Sequence, residues 1–178
     1  MKKVLIITSS LRGRSNSDIL AAAFAEGARE AGHEVTEISL KGKTVGFCRG
    51  CLACQKTGRC VIADDSRPIC DAVKDADVLV FASPVYYYSI SGQLKTLLDR
   101  LNPLFAADYA FREVYFLSSA AEDSEEAAEN PKTAVQGWVD CFEQARLAGC
   151  VFCGGVSAPG KAAGTQAAEK ARAMGRAL

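Results

Sequence analysis

The sequence predicts a doubly wound α/β domain, and three observations carry that reading. Two short runs, Val4-Leu5-Ile6-Ile7 and Val78-Leu79-Val80-Phe81, are apolar at every position, as strands buried on both faces of a parallel sheet require. Segments with apolar residues at helical spacing alternate with such strands along the chain. A length of 178 residues, 49% hydrophobic and 24% charged, suits one globular domain with a substantial core. No linker or internal repeat divides the chain, so residues 1–178 are expected to form a single domain.

The first strand is expected over residues 2–8. The polar segment Ser9-Ser10-Leu11-Arg12-Gly13-Arg14-Ser15-Asn16-Ser17 leads into a helix over 18–31, with Ile19, Leu20, Ala23, Phe24 and Ala28 on its inner face and Gly32 at its end. Residues 33–40 alternate Val35, Ile38 and Leu40 with polar neighbours, the pattern of a half-buried edge strand. Asp64-Asp65-Ser66 starts a helix whose inner face is Ile69, Cys70 and Val73, and the strand around 78–81 follows. The periodicity then predicts a helix over 92–104, a fourth strand over 113–118, and a long helix starting at Pro131 and reaching Leu147. A fifth strand over 150–156 and a last helix over 166–178 complete the chain. Five such units favour the flavodoxin-like strand order 2-1-3-4-5 with helices on both faces, over a six-stranded dinucleotide fold.

Open sheets of this kind bind ligands beyond the carboxyl ends of their strands, at the switch point between strands 1 and 3. The loop after strand 1 combines hydroxyls, an amide and two guanidinium groups just before a helix. That arrangement suits a phosphate, because helix N-terminal N–H groups and the helix dipole favour an anion, although a Ser/Asn cluster also serves plain capping. It matches neither the G-x-G-x-x-G fingerprint nor a G-x-x-x-x-G-K-[ST] loop, which lowers tightly held NAD and ATP. The loop after strand 3, Ser83-Pro84-Val85-Tyr86-Tyr87-Tyr88, offers exposed backbone groups and aromatic faces to a flat heterocycle. Together the two loops describe a mononucleotide site, and FMN fits the fold.

Charge and cysteine usage bound the partners. The 21 basic and 21 acidic residues cancel, so no electrostatic footprint points to nucleic acid or an anionic membrane. No run reaches the length of a membrane span, and the apolar stretch after Met1-Lys2-Lys3 is too short for a secretory core, so a cytoplasmic location is expected. Eight cysteines in a reducing compartment read as metal ligands, redox groups or core residues rather than a disulfide framework.

The segments T-S-S-L-R-G-R-S-N-S, D-D-S, S-P-V-Y and G-Q-L-K-T-L-L-D-R resemble the NAD(P)H-dependent, FMN-binding reductases of the flavodoxin-like superfamily. Within that superfamily, Cys48, Cys51, Cys54 and Cys60, spaced C-x2-C-x2-C-x5-C after strand 2, resemble the compact motif of the iron-sulfur flavoproteins, which pair FMN with a 4Fe-4S cluster and act as dimers. The resemblance implies that Ser10, Arg12, Ser15, Asn16 and Ser17 hold the FMN phosphate. Ser83, Pro84, Val85 and Tyr86 would line the ring, and Ser118 and Ser119 with Ala120 would close its polar edge. The family often has glycine where Ser9 and Ser15 stand here.

Three readings of the four cysteines stay open. Ferredoxin-like triplet spacing with a close fourth ligand allows a 4Fe-4S cluster, with Gly50 and Gly58 permitting tight turns. Structural zinc usually joins two separated ligand pairs, and a reduced structural loop needs no metal. Cys70 and Cys141 fall on predicted helices, while Cys150 and Cys153 should face opposite sides of a strand. The only histidine, His33, lies far from the expected site, which disfavours a histidine base. The acidic run from Glu122 to Glu126 should face solvent. The expected activity is oxidoreduction: a reduced nicotinamide nucleotide, NADH or NADPH, delivers hydride to FMN, and an unidentified acceptor takes the electrons. The alternative is an FMN electron carrier without nicotinamide turnover. A homodimer or higher homo-oligomer is expected from the resemblance.

Overall fold

Successive residues of the central strands face opposite sides of the sheet, and both sides are apolar here, so the chain needs helices on both. The computed structural model describes all residues 1–178 and shows this arrangement. Strands β1 (Lys3–Thr8), β2 (Glu34–Ser39), β3 (Val78–Tyr86), β5 (Glu113–Ser119) and β6 (Arg146–Cys153) form a parallel sheet in the order β2-β1-β3-β5-β6. A further two-residue strand, β4 (Ser89–Ile90), pairs antiparallel with the end of β3. The order therefore differs in detail from the expected 2-1-3-4-5, because the tyrosine loop closes on itself as a small hairpin.

Leu5, Ile7, Leu79, Phe81, Val114 and Phe116 pack on one face against α3 (Ser66–Asp75), α4 (Gly92–Arg100) and α5 (Glu126–Val139). Val4, Ile6, Val78, Val80, Tyr115 and Leu117 pack on the other against α1 (Asn16–Glu30) and α6 (Gln166–Arg176). Cys150 and Cys153 fall on these two opposite faces, as their spacing requires. β2 is half exposed along its length, the mark of the edge strand it is. α1 and α6 cross with their backbones in contact. A Cβ on Gly27 would lie 2.0 Å from the Arg172 carbonyl oxygen, and one on Gly175 would lie 2.1 Å from that of Phe24. No helix is long and apolar enough to cross a membrane.

Four elements depart from the sequence expectation. β3 runs on to Tyr86, so Ser83, Pro84, Val85 and Tyr86, expected in the loop after it, lie on the strand itself, held by pairing with Ser118 and Ser119 on one side and with β4 at the end. α5 begins at Glu126, so Pro131 lies inside the helix rather than at its start. The buried line Ala127, Pro131, Val135 and Val139, at a spacing of four, carries the helix through the one hydrogen bond that proline removes. The chain then turns, leaving Phe142 outside the helix and Leu147 on β6, which starts at Arg146 rather than near Cys150. α4 stops at Arg100, and Pro103 continues it only as a 3-10 turn over Asn102–Ala106.

Candidate functional site

The first residues of α1 set up one end of a cavity. Ser15 caps the helix, its hydroxyl oxygen accepting from the Asp18 N–H at 3.1 Å, a bond of a kind that stabilises by about 1 kcal/mol. The Asn16 and Ser17 N–H groups at the helix start find no backbone acceptor, as expected for the opening turn. They lie at the carboxyl edge of the sheet, where a cavity of about 230 Å³ opens between β1 and β3. Ser10, Arg12, Ser15 and Asn16 line one wall of it, and Pro84, Val85 and Tyr86 line another. Ser119, Ala120 and Ala121 come from the end of β5, and Val156, Ser157 and Pro159 from the loop after β6.

Nine of the residues singled out from the sequence, Ala120 among them, therefore share one cavity, while Ser17, Ser83 and Ser118 are buried beside it. The Ser17 hydroxyl lies 3.3 Å from that of Ser15. Ser83 donates to the Pro84 carbonyl at 2.9 Å and accepts from the Ser91 N–H at 2.9 Å. The Ser91 hydroxyl donates to Ser9 at 2.8 Å, and Ser9 donates to the Ala82 carbonyl at 3.0 Å. This buried serine relay ties the ends of β1 and β3 to the start of α4 and so fixes the backbone under Pro84 and Val85.

The loop after β6 was not legible as part of the site. Asn16 is the reason it closes here: its amide nitrogen donates to the Val156 and Ala158 carbonyls at 2.9 and 3.0 Å, and its amide oxygen accepts from the Ala162 N–H at 3.0 Å. The Arg12 guanidinium reaches the Ser157 carbonyl at 3.3 Å. At the opposite rim Tyr88 donates to the Glu122 carboxylate at 2.6 Å, joining the hairpin to the loop after β5. That hydrogen bond holds the Glu122 carboxyl below its ordinary range and raises the Tyr88 hydroxyl. The acidic run containing Glu122 is otherwise largely exposed. His33 accepts from the Lys2 N–H at the other end of the sheet, away from the cavity.

The four cysteines lie elsewhere. Adjacent strands β1 and β2 would release their following loops at the same rim, but the segment after β2 does not stay there. Residues 43–47 run along α4 past Gly92 and Thr96, and Gly46 meets Arg100 at the far end of that helix. Nine residues of helix at 1.5 Å each span about 13 Å, so the cysteines at the tail of α4 lie a helix length from its Ser91 cap, which the serine relay holds under the first cavity. There Cys48, Cys51, Cys54 and Cys60 line a second cavity of about 450 Å³, against Leu98, Phe105 and Trp138. A short helix, α2 (Ala53–Thr57), lies inside the segment between Leu52 (φ 54°) and Gly58 (φ 69°). Cys141, which the periodicity put on a helix, follows the end of α5 and joins the same cavity wall.

Arg100 holds this segment in place. Its side chain is fully buried, and the guanidinium donates to Asp64 at 2.7 and 3.1 Å, to the Gly46 carbonyl at 2.7 Å and to the Ile62 carbonyl at 3.2 Å. It also donates to the Cys60 sulfur at 3.3 Å, while Asn102 donates to the Cys54 sulfur at 3.0 Å. The Arg100 Nε is buried without a partner. Burial alone would raise the Asp64 carboxyl, but hydrogen bonds from Arg100, the Gly46 N–H and Ser66 outweigh it and leave the group well below the usual carboxylate range. Cys70, close behind the loop, is pushed up to about 12 by burial, aided by Asp71 and by Cys54 and Cys60. It stays a thiol at neutral pH. All eight cysteines are free, and no three His, Cys, Asp or Glu side chains converge as a group that could hold a single metal ion. The four cysteines instead line one cavity, and N–H donors reach three of their sulfurs, from Gly50 to Cys48 at 3.5 Å, from Asn102 to Cys54 and from Arg100 to Cys60, a donor set that fits a multinuclear iron-sulfur group.

All four non-glycine residues with positive φ lie in these loops: Arg14, Leu52, Tyr87 and Tyr88, at 53°, 54°, 48° and 58°. Such backbone costs on the order of 1 kcal/mol per residue and persists where the surroundings over-determine it, which is common at functional sites.

An open parallel sheet with an anion-ready helix start at its switch point defines a flavodoxin-like α/β protein. The chain belongs to the family described as NADPH-dependent FMN reductase, which matches residues 2–178. Among curated relatives, an iron-sulfur flavoprotein of Methanocaldococcus jannaschii is 39% identical over 102 residues, 57% of this chain and 53% of that protein. One of Methanosarcina thermophila is 33% identical over 110 residues, covering 62% and 58% respectively. The matches thus span about half the length of those relatives. Solved structures with the same fold include an azoreductase from Bacillus anthracis, with a TM-score of 0.75 and 20% identity over the whole of both chains. An NAD(P)H:quinone oxidoreductase from Methanothermobacter marburgensis gives 0.71 at 18% identity, covering 98% of this chain and 96% of that one.

Proposed function

We propose that the chain is a cytoplasmic, FMN-dependent NAD(P)H oxidoreductase that passes electrons to a separate acceptor and works as a homodimer or higher homo-oligomer. The observation that carries the reading is the cavity at the β1/β3 switch point, where the α1 N-terminus, Ser10, Arg12 and Ser15 face the Pro84–Tyr86 backbone. FMN bound there would supply hydride acceptance from a reduced nicotinamide nucleotide and release of the electrons singly or in pairs. In this reading the α1 N–H groups, Ser10, Ser15 and Arg12 hold the phosphate. Asn16 and Ser17 shape that end from behind. Pro84, Val85 and Tyr86 line the ring over the serine relay that includes Ser83, and Ser119, with Ser118 beneath it, closes the polar edge. No side chain is asked to move a proton.

Cys48, Cys51, Cys54 and Cys60 are proposed as ligands of a 4Fe-4S cluster, which would supply one-electron exchange at the tail of α4. The names of the curated relatives and the N–H donors directed at Cys54 and Cys60 support this. Exposed Tyr87, Phe47 and Phe105 offer apolar surface for self-association.

The test is anaerobic addition of NADH and of NADPH to FMN-loaded protein. Bleaching of the flavin absorbance within turnover time is the expected result. A flavin that stays oxidised with both nucleotides would leave an electron carrier instead.

A further inference from the structure

The tail of α4 presents two N–H donors to two different cysteine sulfurs, and neither donor side chain is itself a ligand. Asn102 Nδ2 lies 3.0 Å from the Cys54 sulfur, and Arg100 Nη2 lies 3.3 Å from that of Cys60. The same guanidinium holds the Gly46 and Ile62 carbonyls and the Asp64 carboxylate, so it grips the segment on both sides of the four cysteines. We infer that Arg100 and Asn102 are positioning residues for the group those cysteines bind, setting both the shape of the ligand loop and the ease with which the bound group takes an electron. The inference rests on the cluster reading given above.

The physical argument is one of charge. Reduction adds one electron to the group and hence one negative charge spread over its sulfurs. Hydrogen bonds to those sulfurs, and a buried cation beside them, stabilise the reduced form more than the oxidised form and raise the reduction potential. Arg100 supplies the full positive charge and Asn102 only a dipole. The Asp64 carboxylate, bonded to the same guanidinium, offsets part of the charge of Arg100. The two contributions should therefore differ in size but share a sign.

Wild type, Asn102→Ala and Arg100→Lys are purified anaerobically and loaded with iron, sulfide and FMN. Iron and flavin are counted, and the reduced fraction of the cluster is followed spectroscopically against potential. Asn102→Ala is expected to keep its iron and flavin while its reduced fraction at a fixed potential falls several-fold, a tenfold fall corresponding to 59 mV for a one-electron couple. Arg100→Lys, which keeps the charge but loses the fork, is expected to retain less iron and to show faster backbone hydrogen exchange over residues 46–62 in the iron-free, flavin-loaded protein. Iron bound equally by all three proteins with superimposable redox curves overturns the inference and leaves the cluster intact. Wild type that binds flavin but no iron overturns the cluster reading and this inference with it. Should Arg100→Lys fail to fold, Asn102→Ala alone decides between these outcomes.

Discussion

The two cavities at either end of α4 are built from opposite materials. The one at its head is made of short polar side chains and backbone, contributed by the loops after β1, β3, β5 and β6. The one at its tail is mostly apolar, walled by Leu98, Phe105, Trp138 and five thiols. The first belongs to the fold, because any open sheet of this order leaves a crevice at its switch point and a helix N-terminus beside it. The second belongs to a single excursion of the chain, which stays in place through one buried ion pair and the hydrogen bonds around it. A site of the first kind should tolerate loss of one side chain with a loss of affinity, whereas the second should lose its shape.

The largest expected effect breaks the second site. Asp64→Asn leaves the Arg100 guanidinium buried without its counter-charge, at a cost of about 3–5 kcal/mol. Hydrogen exchange should rise over residues 44–64 while FMN affinity changes little, and parallel loss of both would contradict the separation of the two sites. Acid acts on the same pair. Because the folded carboxyl lies below its ordinary value, its contribution is complete at neutral pH and declines as pH falls below about 4, as the proton competes with Arg100. Wild type should therefore lose stability relative to Asp64→Asn on acidification, as read from urea midpoints at several pH values.

Next in size is Asn16→Ala. Its amide makes three hydrogen bonds to the loop after β6, so its loss should cost about 2–3 kcal/mol of stability in the flavin-free protein and weaken FMN binding as well. Arg12→Ala sharpens the contrast within the same cavity. This exposed side chain makes one hydrogen bond to the Ser157 carbonyl, so thermal stability without flavin should hardly move, while FMN affinity should fall about tenfold or more through loss of a charged phosphate contact. Equal losses of stability and affinity in Arg12→Ala would remove Arg12 from the phosphate assignment. The smallest effect is expected from Tyr88→Phe, which releases the hairpin from Glu122 at the surface. It should leave the melting temperature unchanged and speed flavin dissociation modestly in stopped-flow release.

How legible each site was follows from the same difference. The run Val4-Leu5-Ile6-Ile7, the capped start of α1 and the S-P-V-Y segment are local patterns, and local patterns placed nine of the predicted residues in one cavity, although S-P-V-Y proved to be the end of β3 rather than a loop. The contribution of Val156, Ser157 and Pro159 was hidden because it depends on Asn16 reaching about 140 residues along the chain. Arg100 was read only as part of a helical motif, since nothing in G-Q-L-K-T-L-L-D-R indicates that its last residue is buried against Gly46 and Asp64. Helix periodicity also misled across 141–147, where apolar residues belong in turn to a cavity wall, the core and a strand.

What the sequence by itself determined is the set of short-range choices: which runs become central strands, where the helix after β1 begins, and which loops meet at the carboxyl edge of such a sheet. Those choices depend on contacts within a few residues or on a topology with few alternatives. Only the tertiary structure decided that the cysteine segment leaves the rim and travels the length of α4. The physical reason is that its route is set by Arg100, whose charge could be buried only where Asp64 and two carbonyls converge from far along the chain.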